Sequence, residues 1–115
     1  MRAITACRYP RRMSLPVRLS HFALADLSAL YAFRDNLHPH GTHLRRLQLD
    51  LAIDRLLRQI QEFPLAYPRW RANVRRIINP RFFLAIFYTV AQDHILVLGV
   101  ADQRQDPRRL RFTAR

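Results

Sequence analysis

The sequence is short of the residues on which several common kinds of site depend. It has no lysine, one cysteine and two glycines among 115 residues. Cys7 by itself excludes an internal disulfide framework and a multi-cysteine zinc site, which fits a reducing compartment. Neither Gly41 nor Gly99 lies in a glycine-rich phosphate loop. No apolar run approaches the roughly 18 residues of a membrane span, and the N-terminus lacks the apolar core of a secretory signal. These absences predict a soluble cytoplasmic protein without a bound cofactor.

Negative charge is scarce as well. Eight acidic residues, of which Glu62 is the single glutamate, stand against twenty arginines, and the net charge is +12. Such a basic chain attracts polyanions: nucleic acid, the ribosome, an anionic membrane or an acidic protein. The exclusive use of arginine fits either forked contacts to phosphate or the codon bias of a GC-rich genome. The sign of the charge therefore says more about the partner than the choice of arginine does.

The composition indicates one folded domain behind a basic arm. Hydrophobic residues make up 50% of the chain and charged residues 24%, which is ordinary for a globular protein. Residues 1–13 contain four arginines and little apolar patterning, so we expect a mobile arm there, and Met13 could itself be a start residue. Residues 14–115 are then predicted to form a single domain, large enough for one modest core.

Two apolar runs in the second half of the chain predict neighbouring strands. Residues 82–90 and 94–100 each have the length of a strand and are rich in β-branched and aromatic side chains. With residues 73–78 in front, they predict a three-strand antiparallel meander. Residues 15–19 predict one more short strand, which Pro16 confines to a sheet edge or a strand start.

Two helices are predicted between these strands. Ser20 is the expected N-cap of a helix over residues 21–36, and Thr42 of a helix over residues 42–63. The second helix has an apolar seam, widened by further leucines: Leu49, Ile53, Leu56, Ile60 and Phe63 form the seam, and Leu44, Leu47, Leu51 and Leu57 widen it. The prediction is an α+β fold: an N-terminal strand and a two-helix hairpin packed on an antiparallel β-meander, whose opposite face stays open and cationic.

Short motifs over residues 17–107 also match those of a known superfamily in order and spacing. The matching residues are Ala23, Asp26, Leu27 and Leu30 (A-x-x-D-L-x-x-L), Phe63 and Pro64, Val74 and Arg75, Ile86, Tyr88 and Val90 (I-x-Y-x-V), and Ile95, Leu96, Val100, Arg104, Asp106 and Pro107 (I-x-V-L-x-V-x-H-x-R-R-D-P). The chain thus resembles the RelE/ParE superfamily of toxins from type II toxin–antitoxin, or plasmid-stabilisation, systems. The resemblance implies a RelE/ParE-like toxin fold and growth arrest as the activity.

The chain departs from that pattern at its C-terminal end. Asp102 stands where the family usually has histidine, and Gln105 replaces one of the paired arginines. Residues 108–115 contain neither histidine nor tyrosine. These departures bear on whether the chain is active as a nuclease, because the missing side chains are proton carriers.

One branch of the superfamily implies ribosome-dependent mRNA cleavage, in which the 2′-hydroxyl attacks the adjacent phosphate. That reaction needs a base, an acid and cations that stabilise the phosphorane. The candidate catalytic residues are Arg75, Arg81, Tyr88, Asp102 and Arg104. Proton carriers are few in this set, and His94, at the turn before the last strand, fits a structural role better than a catalytic one.

The ParE-like branch implies inhibition of DNA gyrase through protein contacts, without a catalytic set. The few proton carriers favour this branch. Its target-binding surface would be a basic patch of Arg75, Arg76, Arg104, Arg108 and Arg109. The resemblance further implies neutralisation by an acidic, partly disordered antitoxin, in a heterotetramer or a larger complex, and the charge of +12 suits such a partner.

The sequence allows two other interpretations, a metal site and a non-toxic nucleic-acid-binding module. His38, His40 and His43 could together bind zinc or nickel, but Pro39 and Gly41 mark a flexible loop without a neighbouring carboxylate, so we predict no metal site. A non-toxic basic nucleic-acid-binding module remains an alternative, although the sequence lacks RNA-recognition aromatics, a zinc finger and a helix-turn-helix.

Overall fold

A five-stranded mixed sheet carries two helices on one face. The computed structural model describes residues 14–105 and Phe112. Its elements are β1 (Val17–Leu19), α1 (His21–Leu37), α2 (Thr42–Glu62), β2 (Arg69–Arg71), β3 (Val74–Asn79), a 3₁₀ helix (Pro80–Phe82), β4 (Leu84–Val90) and β5 (Ile95–Asp102). The strand order is β1-β5-β4-β3-β2. The predicted α+β fold, with its N-terminal strand, helix pair and meander, is confirmed. The predicted arm over residues 1–13 lies outside the described residues.

The sheet has two features that the sequence did not predict. Strand β1 pairs with β5 in parallel, whereas β3, β4 and β5 are antiparallel neighbours. Strand β2 adds a fifth, three-residue strand antiparallel to β3. Both edge strands are short, so each leaves only a few backbone groups for a further strand to pair with.

The two helices begin in different ways. Ser20 caps α1 as predicted: its Oγ accepts a hydrogen bond from the Ala23 amide at 3.1 Å and donates to the Leu98 carbonyl at 3.2 Å, which ties the helix start to β5. The prediction that Thr42 caps α2 was wrong. The N-cap is Gly41, at φ 73°, because the reversal between the helices needs a left-handed residue there.

One hydrophobic core lies between the helices and the sheet. From α2 it takes Leu49, Ile53, Leu56 and Ile60, which pack with residues of the central strands such as Ile86, Tyr88 and Val97. The seam of α2 is thus confirmed, except that Phe63 is 40% exposed. Three of the leucines expected to widen the seam lie instead on the outer side of the helix, with exposures of 61% for Leu44, 47% for Leu47 and 66% for Leu51. Among the described helices, none is long and apolar enough to cross a membrane.

The sheet face opposite the helices carries an aromatic cluster. The ring of Trp70 lies 4.8 Å from that of Phe87 and 5.9 Å from that of Phe112, measured between centroids. Phe112 covers Gly99, where an added Cβ would come within 2.7 Å of the Phe112 ring. The expectation of an open, cationic face was therefore wrong at its centre, which is apolar and covered by a residue of the C-terminal segment.

Candidate functional site

Two of the predicted arginines, Arg81 and Arg104, lie at the end of the sheet where β3 turns into β4 and β5 ends. Leu84 pairs with both Asn79 of β3 and Asp102 of β5. The turn between them is closed by the Asn79 side chain, which accepts from the Phe82 amide, and by Phe83 at φ 56°. This local structure places Arg81, in the turn, near Arg104, which follows β5.

Asp102 is buried, with 1% of its surface exposed, and two arginines bind its carboxylate. Arg34 Nε lies 3.0 Å from Oδ2, while Arg104 donates from Nη2 to Oδ2 at 2.7 Å and from Nε to Oδ1 at 3.0 Å. The Arg104 backbone amide adds a bond of 2.8 Å to Oδ1. Burial alone would raise the pKa of Asp102, but the hydrogen bonds from Arg104 and the charge of Arg34 outweigh it, so the pKa lies below its ordinary value. Asp102 is thus an arginine partner rather than a free catalytic carboxylate.

Sequence reasoning missed Arg34, the third member of this cluster. Its guanidinium also donates to the Phe82 carbonyl, so it joins the end of α1 to the turn before β4. Burial lowers the pKa of Arg34 and the charge of Asp102 opposes that shift, but arginine remains a cation at neutral pH. The available signal was helical spacing: Arg34 follows the buried Leu30 by one turn and so shares its inward face.

Aromatic rings hold the exposed arginines of this end of the sheet. Arg104 Cζ lies 4.3 Å from the centroid of the Phe83 ring, and Arg81 Cζ lies 5.6 Å from that of Phe82. The hydrogen bonds to Asp102 raise the pKa of Arg104, which keeps it charged. Arg81 has no carboxylate partner in the part of the chain that the structure describes. A cation–π contact orients a guanidinium but does not neutralise its positive charge.

Arg75 and Arg76 lie at the other end of β3. Arg75 pairs with Tyr88, four residues along the strand from Asn79, which is about 13 Å at 3.3 Å per residue. Its guanidinium donates to the carbonyls of Tyr67, at 2.7 Å, and Leu65, at 3.3 Å. Arg76 pairs with Phe87, and both side chains lie on the sheet face opposite the helices. The predicted patch is thus divided between two places, and its members Arg108 and Arg109 lie outside the described residues.

Tyr88 lies in the core with no exposed surface. Its hydroxyl donates to the Pro64 carbonyl at 2.7 Å, and burial raises its pKa above the ordinary value. The candidate catalytic tyrosine is therefore a core residue whose hydroxyl is bound to the backbone.

The histidines occupy exposed or peripheral positions. His94 Nδ1 lies 2.8 Å from Oδ1 of its neighbour Asp93, at the turn before β5. Within residues 14–105 and at Phe112, no group of three histidine, cysteine, aspartate or glutamate side chains is arranged to hold a metal ion, so His38, His40 and His43 do not converge.

Comparison with known proteins bears on the fold. No protein-family model and no curated protein matches the chain. Among solved structures, the chain is similar to one described as "Chromosomal ParDE TA system from P. aeruginosa", with a TM-score of 0.61 and 20% identity over 77% of this chain and 96% of the other. The likeness confirms that the architecture is the predicted RelE/ParE-like fold.

Proposed function

We propose that this chain is the toxin of a type II toxin–antitoxin system and that it acts in the ParE-like manner, arresting growth in the cytoplasm through DNA gyrase. The observation that carries the proposal is the shared fold with a chain of a ParDE TA system, over nearly the whole length of that chain. The motifs along residues 17–107 support the same assignment independently of the coordinates.

The positions of the candidate catalytic residues favour protein contacts over RNA cleavage. Two arginines bind the carboxylate of Asp102, and the buried hydroxyl of Tyr88 donates to a backbone carbonyl. The guanidinium of Arg75 donates to two loop carbonyls. Phosphoryl transfer by a 2′-hydroxyl needs a free base and a free acid within hydrogen-bond reach of the phosphate. Of the candidates, only Arg81 and Arg104 present a cation at the surface. A guanidinium stays protonated at neutral pH, so neither can serve as the free base or the free acid.

An acidic antitoxin is the partner that fits the charge and the surface. The outer side of α2 presents Leu44, Leu47 and Leu51, one turn apart, and continues into Arg55 and Arg58. An amphipathic acidic helix could lie along such a face, or an extended segment could add to the free edge of β1 or β2. We propose that the toxin and antitoxin form a heterotetramer or a larger complex.

Induced expression tests the proposal. We expect growth arrest that is relieved when the product of the adjacent gene, a small acidic protein, is expressed with the toxin, and we expect the two proteins to co-purify. Gyrase-dependent DNA breaks after induction support the ParE-like action.

The other outcomes are equally specific. Cleavage of mRNA within codons, with intact DNA, would replace gyrase by the RelE-like mRNA endonuclease activity as the function. Tolerated expression, combined with nucleic-acid binding that weakens steeply with salt, would contradict the toxin and support the non-toxic basic module.

A further inference from the structure

A cavity of about 170 Å³ lies between the tip of the helix hairpin and the turn before β4. Its walls come from the end of α1, the first two turns of α2 and residues 81–83. Five of the lining residues are arginines: Arg34, Arg45, Arg46, Arg81 and Arg104. Arg81 and Arg104 were candidate site residues from the sequence, but neither the catalytic set nor the target-binding patch includes Arg34, Arg45 or Arg46.

The arginines outnumber the carboxylates that neutralise them. Asp102 binds Arg34 and Arg104, and Asp35, which lines the cavity, binds Arg46. Asp50 accepts a hydrogen bond from the Tyr31 hydroxyl and does not line the cavity.

Two of the lining arginines make few contacts with the described residues. Among the described residues, Arg45 has one long contact, 3.5 Å from its Nε to the His40 carbonyl, and the Cζ of Arg81 lies 5.6 Å from the centroid of the Phe82 ring. Neither has a carboxylate partner in the described part of the chain. Counting only residues 14–105 and Phe112, the cavity therefore has about two positive charges without a carboxylate partner.

A doubly charged anion of small size matches this arrangement. Arginine forks recognise phosphate by paired hydrogen bonds, and a phosphate monoester carries close to two negative charges at neutral pH because its second pKa is about 6. The volume is below the roughly 300 Å³ at which pockets for drug-sized ligands begin, so it suits a phosphoryl group rather than a whole nucleotide. The rings of Phe82 and Phe83 hold Arg81 and Arg104 beside the cavity.

We propose that this cavity binds a phosphate monoester, supplied by a free nucleotide or by the 5′ end of a nucleic-acid strand. The site goes beyond the toxin assignment and does not depend on it, since its cations line a cavity at the hairpin tip whatever the cellular target is.

The test is a titration of the full chain followed by amide chemical shifts and calorimetry. The probes are inorganic phosphate, AMP, the dinucleotide pTpT with a 5′-phosphate, and TpTpTpT, which has the same number of negative charges but only diesters. We expect inorganic phosphate to shift the amide signals of residues 81–83 and 45–46, and pTpT to bind at least about tenfold more tightly than TpTpTpT. Equal binding of AMP and pTpT assigns the site to free nucleotides, and tighter binding of pTpT assigns it to strand ends.

Charge-matched variants separate the cavity from the general basicity of the chain. Arg81→Gln and Arg45→Gln should each weaken pTpT binding about tenfold, because each removes a charge-assisted hydrogen bond. Arg55→Gln is the control: it removes the same charge from the exposed outer side of α2, away from the cavity, and should change the affinity less than about twofold.

Three results would overturn the proposal. These are equal affinities for pTpT and TpTpTpT, an equal loss in Arg55→Gln and Arg81→Gln, and no amide shift at residues 81–83 with inorganic phosphate up to about 50 mM. Each would mean that the cavity binds phosphate no better than the rest of the basic surface does. None would bear on growth arrest or gyrase, so failure here is distinct from failure of the toxin assignment.

Discussion

At the scale of single residues, the strongest constraint on this end of the sheet is the burial of Asp102. A buried carboxylate is tolerated only when cations and hydrogen bonds replace the water it has lost. Arg34 and Arg104 do so from two elements that are distant in sequence, α1 and the segment after β5. The carboxylate of Asp102 thus holds a pair of arginines in place at this end of the sheet.

Removal of the negative charge should destabilise the fold. Asp102→Asn leaves Arg34, which is 16% exposed, without its counter-charge, and we expect a loss of about 2–3 kcal/mol in the free energy of unfolding by urea. Asp54→Asn is the matched control, because Asp54 is exposed on α2, and it should change the free energy by less than about 0.5 kcal/mol. Equal effects of the two variants would contradict the role of the buried ion pairs.

The same pair predicts a pH dependence. The pKa of Asp102 is lower in the folded chain than in the unfolded chain, so its contribution is complete above about pH 4 and is lost as the pH falls towards the folded value. We expect the difference in unfolding free energy between wild type and Asp102→Asn to be constant from about pH 5 to 7 and to shrink below about pH 4. A difference that grows on acidification would contradict the lowered pKa.

At the scale of elements, α2 shows what periodicity predicts and what it does not. Spacing identified Leu49, Ile53, Leu56 and Ile60 as the inward seam because hydrophobic residues repeat every 3.6 residues on a buried face. The same rule assigned Leu44, Leu47 and Leu51 to the core, and there it was wrong. A hairpin over a single sheet buries one side of each helix, and leucines beyond that side remain in solvent unless a partner covers them.

Paired substitutions on α2 should separate its two sides. Leu56→Ala, at a position 3% exposed, should cost about 2–5 kcal/mol in urea unfolding because it leaves a cavity. Leu51→Gln, at a position 66% exposed, should change stability by less than about 0.5 kcal/mol and should weaken co-purification with the proposed antitoxin. Unchanged capture of the proposed antitoxin by Leu51→Gln would place its contact elsewhere on this chain.

At the scale of the whole molecule, local patterns predicted the fold and long-range contacts decided the site. The strands, both helices and the Ser20 cap follow from spacing and capping within a few residues. Strand β2 escaped prediction because Arg69–Arg71 is short and largely charged, so its pairing depends on β3 rather than on its own sequence. Arg81 and Arg104 were candidates from the sequence, but their companion Arg34 lies 68 positions from Asp102, and no local pattern connects the two.

The net charge of +12 predicts how the whole chain meets its partner. Long-range attraction accelerates encounter with an acidic protein and is screened by salt. We expect the association rate with the proposed antitoxin to fall at least about tenfold between roughly 50 mM and 500 mM salt, while the dissociation rate changes much less. Stopped-flow mixing measures both rates, and an association rate independent of salt would contradict electrostatic steering.

Trp70 is the only tryptophan of the chain, and it contacts both Phe87 and Phe112. Its intrinsic fluorescence is therefore an unlabelled optical reporter of whether residue 112 stays seated over Gly99. Phe112→Ala should move the emission to longer wavelength and increase quenching by acrylamide. Gly99→Ala should do the same in the wild-type background and add little once Phe112 is absent, because the added methyl group would then have no ring to displace. Any ligand that draws Phe112 away from the sheet would produce the same shift of the emission to longer wavelength.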